Sequence, residues 1–215
     1  DISSGAVLPW SPNGNYGLIG VMLPTPNAIF VGGSFSAFGH VDLAALDPTT
    51  GAALPNWEGN TDGRVYSLAT DGTRLYVAGQ FLHIGTALYP VSRLAAFDLA
   101  TGAPIPTWTP GPTAINGGVY TMAYDAGRLY VGGSFTTIGG AARNQLAALD
   151  AATGLATSWD PNPNANVSTL CLGTGSIYVG GQMTSIGRVA RSNAAAFDLR
   201  TGAVTSWNPN ANNEL

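Results

Sequence analysis

Lysine is absent from this 215-residue sequence, and all eight basic residues are arginines. That removes Schiff-base chemistry and the lysine of a phosphate-binding P-loop at once. Charge of either sign is scarce: charged residues make up 9% of the chain, with a net charge of −4. Eight scattered arginines on a weakly acidic chain do not form the basic surface that grips nucleic acid by its phosphates. Cysteine occurs once, at Cys171, which excludes an intrachain disulfide and a cysteine-based metal cluster. Its apolar neighbours Leu170 and Leu172 lead us to expect a buried, inert thiol. The two histidines, His40 and His83, would need a third ligand such as Asp42 to hold zinc. No apolar run approaches the roughly 18 residues of a helical membrane span. What the chain has instead is apolar and small: 45% hydrophobic residues, enough to bury a core, and 29 glycines without collagen's every-third spacing.

The tryptophans show the order in this composition. They stand at Trp10, Trp57, Trp108, Trp159 and Trp207, spaced 47, 51, 51 and 48 residues apart. An acidic turn precedes each: Asp1–Gly5, Asp47–Gly51, Asp98–Gly102, Asp150–Gly154 and Asp198–Gly202, all of the form D-x-x-[ST]-G. A third landmark, FVGGSF from Phe30, returns as YVAGQF from Tyr76, YVGGSF from Tyr130 and YVGGQM from Tyr178. Three landmarks in fixed order define a repeat of about 50 residues, the size of a propeller blade. Within one unit, Arg64–Thr70, Arg74–Phe81, Ser92–Phe97 and a segment ending at Trp108 read as four short strands. No segment carries a helical period. The expected fold is therefore all-β: a β-propeller of four-stranded antiparallel blades, with a β-solenoid of shorter repeats as the competing reading.

The units divide the chain into an outer strand of a preceding blade (1–10), four blades (11–57, 58–108, 109–159 and 160–207) and the start of another (208–215). Three strands occur four times and the Trp-bearing strand five times, so Ala6–Trp10 is surplus to a closed ring. The expectation is an arc of a larger propeller of roughly seven or eight blades. It would be a segment of a longer chain or an arc completed by a neighbouring one. Small residues at Ala44-Ala45, Ala95-Ala96, Ala147-Ala148 and Ala194–Ala196 would let sheets approach closely, and each Trp would pack between blades. The Asp of each turn is expected to accept backbone N–H groups two and three residues on, with Gly51, Gly102, Gly154 and Gly202 left-handed. Calcium would require further oxygen ligands that these turns do not offer.

The run from Tyr130 to Gly140, then Arg143 to Asp150, Thr153-Gly154 and Trp159, resembles a family of bacterial propeller repeats found in large secreted or surface-attached proteins. That resemblance covers nearly the whole chain and implies an extracellular or cell-surface location, with no settled biochemical function. Ala-x-Asp-x-x-Thr-Gly followed by Trp is similar to the tryptophan-docking motif of quinoprotein propellers. In that family the Trp docks on the neighbouring blade. The vicinal cysteines and acidic calcium site of quinoprotein dehydrogenases have no counterpart here, so the likeness carries no cofactor with it.

No Ser–His–Asp arrangement, nucleotide-binding glycine loop or HExxH occurs, and no catalytic residue, cofactor or metal site is assigned. The candidate functional surface is the loops. Arg93, Arg143 and Arg191 precede the third strands of their blades, with Asn144 and Asn193 beside two of them. Such arginines either brace the loop through backbone carbonyls or offer a guanidinium to a carboxylate or sugar hydroxyl. The Asn-rich connections 13–15, 162–166 and 208–213 are expected on the opposite set of loops. The leading function is a non-catalytic binding or structural module with a protein or glycan ligand. The alternatives are a fragment of a glycan-active or quinone-dependent enzyme whose catalytic residues lie elsewhere, and an assembly subunit joined through edge strands.

Overall fold

The computed structural model describes residues 3–4, 10, 17–37, 39–111 and 115–211, and no helix occurs among them. The first blade contains β1 (Gly17–Pro24), β2 (Ile29–Ala37) and β3 (His40–Leu46). The second has β4 (Val65–Thr70), β5 (Arg74–Gly79), the short ribbon β6 (His83–Ile84) and β7 (Tyr89–Pro90), and β8 (Leu94–Asp98). The third repeats this with β9 (Val119–Asp125), β10 (Arg128–Gly133), β11 (Thr137–Ile138), β12 (Ala141–Ala142) and β13 (Leu146–Asp150). The fourth closes the series with β14 (Val167–Gly173), β15 (Ser176–Gly181), β16 (Ser185–Ile186), β17 (Val189–Ala190) and β18 (Ala194–Asp198). Each blade is a three-stranded antiparallel sheet with the FVGG-type strand in the middle, as in β4-β5-β8.

The anticipated fourth strand is reduced to one bridge per blade, Leu46 to Ala53, Phe97 to Pro104, Leu149 to Ala156 and Phe197 to Val204. The cause is the tryptophan. After the bridge the backbone turns, with Trp57 N–H donating to Leu54 O and Trp108 N–H to Ile105 O, which throws the indole off its own sheet. At the other two blades the Trp159 and Trp207 N–H donate instead to Thr157 and Thr205 Oγ1, at 3.3 and 3.2 Å.

The strands stack side by side in sequence order: β1 packs on β4, β4 on β9 and β9 on β14, and no comparable packing joins β14 back to β1. The core lies between blades. Phe30, Leu43 and Ala45 of the first pack on Val65, Leu68 and Phe97 of the second. Tyr76, Leu94 and Ala96 repeat the join against Val119, Met122 and Leu149. Tyr130, Leu146 and Ala148 repeat it against Val167, Leu170 and Phe197. The paired alanines are fully buried where these sheets meet, so their small size sets the spacing. The first-blade connection Ala6–Tyr16 lies outside the described residues except Trp10, whose Nε1–H donates to Asp47 O at 3.2 Å.

Cys171 departs from expectation. It is exposed, because alternation along β14 points Leu170 at the third blade and Cys171 away from it. Apolar neighbours in sequence therefore say nothing of burial on a strand that closes one end of the stack.

Candidate functional site: the loop face

Two kinds of connection meet at one end of the blades, the link entering each first strand and the ribbon between second and third strands. The side chain three residues before the first-strand valine clamps them together. Asp62 Oδ1 accepts Leu82 and His83 N–H at 2.8 and 2.9 Å. Asn116 Oδ1 accepts Thr136 and Thr137 N–H at 2.9 and 3.1 Å, and Asn164 Oδ1 accepts Thr184 and Ser185 N–H at 2.9 and 3.0 Å. Sequence reasoning missed this clamp, although an Asx at a constant distance ahead of Val65, Val119 and Val167 would have found it.

The clamp also overturns the expected placement of the asparagines. Asn144 Nδ2 donates to Asn162 Oδ1 at 2.7 Å, and Asn193 Nδ2 to Ala211 O at 3.1 Å. The described Asn-rich links therefore share a face with Arg93, Arg143 and Arg191 rather than opposing them; Asn13–Asn15 lie outside the described residues. The reason is strand parity: a chain leaving one blade's outer segment re-enters the next at the end where its second strand finishes.

A second regularity appears just before the Leu-Ala-Ala or Ala-Ala-Ala run of each third strand. Asp42, Arg93, Gln145 and Asn193 occupy this position, and all four are left-handed, with φ of 61°, 62°, 56° and 61°. A non-glycine residue there costs about 1–2 kcal/mol. The surroundings compel it: the carbonyls of Arg93, Gln145 and Asn193 accept Gly79, Gly133 and Gly181 N–H at 3.0, 2.8 and 2.9 Å. Arg93 is thus equivalent to Gln145 and Asn193, not to Arg143 and Arg191, which lie two residues earlier. Matching on arginine hid the alignment that the alanines reveal.

The arginines bind the backbone. Arg93 Nη1 donates to Ile115 O at 2.8 Å. Arg143 uses Nη1 and Nη2 on Ala142 O and Thr157 O, and Arg191 repeats this on Ala190 O and Thr205 O, all at 2.6–2.8 Å. His83 Nδ1 lies 2.7 Å from Asp62 Oδ2, and His40 rests against the Trp57 ring. Among the described residues no group of three or more His, Cys, Asp or Glu side chains could hold a metal ion.

Between the third and fourth blades this face opens into a cavity of about 350 Å³ lined by Asn144, Gln145, Asn162, Asn164, Ser185 and Arg188. Gln145 Oε1 is buried without a hydrogen-bond partner, an arrangement that costs about 1–3 kcal/mol unless a ligand or water supplies a donor. A larger cavity of about 840 Å³ lies between the first two blades, near Trp57, Thr70 and Asp98. It is the room left where Thr70 replaces the Tyr124 that stacks on Tyr76 at the next join. Its Asp98 Oδ1 and Thr70 Oγ1 already bond the backbone, so few polar groups converge there.

The opposite end carries the D-x-x-[ST]-G turns. In each described one the Asp Oδ1 accepts the N–H three residues on and the hydroxyl of the same Thr, as at Asp98 (2.9 and 2.8 Å). These bonds hold Asp47, Asp98, Asp150 and Asp198 below the usual carboxylate range. At Asp62 and Asp71 burial pushes upward, but hydrogen bonds from His83 and Leu82, and from Arg74, Thr73 and Tyr76, bring both down. Burial raises Asp42, and its one bond from Phe35 N–H does not offset this. A depressed carboxylate binds its proton more tightly in the unfolded chain, so its stabilisation is present above about pH 4 and lost as pH falls further. Six such groups outnumber Asp42, whose sign is opposite. The melting temperature should therefore fall a little between pH 7 and 5, where burial keeps from the His40 imidazole a proton that it binds in the unfolded chain, and drop more steeply below about pH 4; Asp98→Asn should shallow the steeper drop in thermal melts across that range.

No protein-family model and no curated protein matches the chain. Among solved structures it is similar to the RRP9 WD40 repeats, at 14% identity over 94% of this chain and 56% of that one, with a TM-score of 0.60. The fold is that of a β-propeller with several blades. The Neurospora crassa Pan2 WD40 domain is also similar, at 12% identity over 87% of this chain and 51% of that one, TM-score 0.57. The computationally designed Ika4 protein aligns at 13% identity over 90% of this chain and 99% of that one, TM-score 0.58. This propeller chain thus spans about half the length of the two WD40 chains and nearly all of the designed one.

Proposed function

We propose that this propeller is a non-catalytic interaction module, working outside the cell or on its surface, whose loop face takes a protein segment. The carrying observation is the cavity between the third and fourth blades, where the strained Gln145 leaves a buried acceptor unanswered. Around it stand Asn144 and Asn162, which keep an amide oxygen and an amide nitrogen beyond the bond between them, and the exposed Arg188, while both amide groups of Asn164 are already bonded within the clamp. Amide donors and acceptors match a peptide backbone, and a guanidinium matches a carboxylate. None of the lining residues is aromatic, so a peptide ranks ahead of a sugar ring, whose apolar face wants a flat partner. The location rests on the resemblance to secreted and surface-attached repeats. The non-catalytic reading is supported by how the carboxylates are used: those of Asp42, Asp47, Asp62, Asp71, Asp98, Asp150 and Asp198 all accept hydrogen bonds from nearby backbone groups.

The test is selection of displayed random peptides on the immobilised chain, followed by titration of the selected peptides. Enriched sequences should bear a carboxylate, and Arg188→Ala or Gln145→Ala should weaken their binding about tenfold, or 1.4 kcal/mol. Arg200→Ala, at the opposite end, should leave binding unchanged. Peptides indifferent to both cavity substitutions, or binding to a glycan array alone, would refute the assignment.

A further inference from the structure

The three joins inside the chain share the indole and the small second-strand residue, and the second and third add a hydroxyl contact that Val21 replaces in the first blade. An indole leaves its blade and donates to a carbonyl in or beside the next blade's acidic turn: Trp57 to Leu99 O, Trp108 to Ala151 O and Trp159 to Gly202 O, at 3.2, 2.9 and 2.9 Å. A small residue of the second strand makes room for the next blade's first-strand valine. A Cβ on Gly32 would stand 2.5 Å from Val65 Cγ1, and one on Gly132 would stand 2.7 Å from Val167 Cγ1. A first-strand hydroxyl then accepts a backbone N–H across the join, Ser67 from Met122 and Thr121 from Leu170, at 2.9 and 3.2 Å.

The fourth blade presents the same parts with no described blade against them. Trp207 packs edge-on to Tyr178 at 5.3 Å but stays 43% exposed, and no described carbonyl accepts its Nε1–H. Around Gly180 a Cβ would meet only its own blade, Thr169 Cγ2 at 3.0 Å and Asn193 O at 3.8 Å. Thr169 stands where Ser67 and Thr121 stand, exposed, with Cys171 beside it on the same side of β14.

The first blade is not the missing counterpart. Its turn carbonyl, Asp47 O, already accepts Trp10 Nε1–H. A second copy of the chain would therefore arrive with that acceptor taken. We propose that the open face of the fourth blade is a docking socket for a further blade of this same repeat, joined in sequence. That blade must bring an unfilled D-x-x-[ST]-G turn for Trp207 and a β-branched first-strand residue for the space over Gly180. Every join in the structure is made by blades consecutive in sequence, which favours that source.

Cys171 reports on the socket without any label being added. The experiment fuses a second copy of residues 160–215 after Trp207, with the added copy's cysteine replaced by alanine, and follows Cys171 with a thiol reagent. Labelling should slow by about tenfold or more relative to the unextended chain, as an exposed thiol becomes buried. Acrylamide quenching of tryptophan emission should weaken in parallel, and Trp207→Ala or Gly180→Val in the extended chain should restore fast labelling. Undiminished labelling in a folded extended chain would overturn the proposal. So would an added copy that remains unfolded and protease-sensitive, because a matching socket must stabilise what it receives. Sedimentation of the unextended chain supplies the remaining outcome: a concentration-dependent dimer that protects Cys171 would make a second copy the occupant instead.

Discussion

Replacing Trp108 by alanine should lower the unfolding free energy by about 3–5 kcal/mol, while the same change at Trp207 should cost less than about 1 kcal/mol. The two residues hold the same place in the repeat and differ in what covers them. Trp108 is 3% exposed, its ring lies 5.3 Å from Tyr76, and its Nε1–H reaches Ala151 O. The Tyr76 hydroxyl meets the same carbonyl at 2.8 Å, so truncation at Trp108 opens a cavity and strips that carbonyl of one of its partners. Trp207 is 43% exposed, with no neighbouring blade against it among the described residues, and has little to lose. Urea unfolding of both variants, read as midpoints at constant slope, checks the contrast. Equal losses would mean that the indole acts within its own blade rather than between blades.

Gly102→Ala should cost about 3 kcal/mol or more, against roughly 1 kcal/mol for Gly72→Ala. Both glycines are left-handed, at φ of 72° and 90°. The space around them separates the two. A Cβ on Gly72 would meet nothing within 4 Å, whereas one on Gly102 would lie 2.5 Å from Gly59 N and 2.8 Å from Glu58 N and Trp57 Cδ2. The turn glycine is therefore a contact surface for the docked indole and for Glu58 N–H, which donates to Thr101 O at 2.9 Å. Thermal melts of the two variants distinguish strain alone from strain plus collision.

The legible part of the fold was its periodic part. Five tryptophans, the acidic turns and the glycine-bearing strands were enough for an all-β propeller, because each recurs with its own physical reason. The loop face was much less legible. Asp42, Arg93, Gln145 and Asn193 have no common side-chain chemistry, and what unites them is a backbone conformation imposed by neighbouring strands. The placement of Asn162 beside Asn144 depends on strand parity, which residue composition does not encode. Cys171 differs from its expected burial for a related reason: its flanking leucines alternate with it across the strand, and the side it faces has no neighbour among the described residues. The fourth strand is shorter than its pattern suggests because the backbone turns at the tryptophan just where a strand would continue.

The indole contacts also give the stack a direction. Each blade hands a ring forward and receives one from behind, so every join is heterologous and no blade pairs with itself. Stability then accrues join by join along one dimension, as in other stacked repeats. An inner blade is held from both sides and an end blade from one. Amide exchange should accordingly be slowest in β5 and β10, and the earliest opening should come at the fourth blade, where the forward-handed ring meets no acceptor among the described residues.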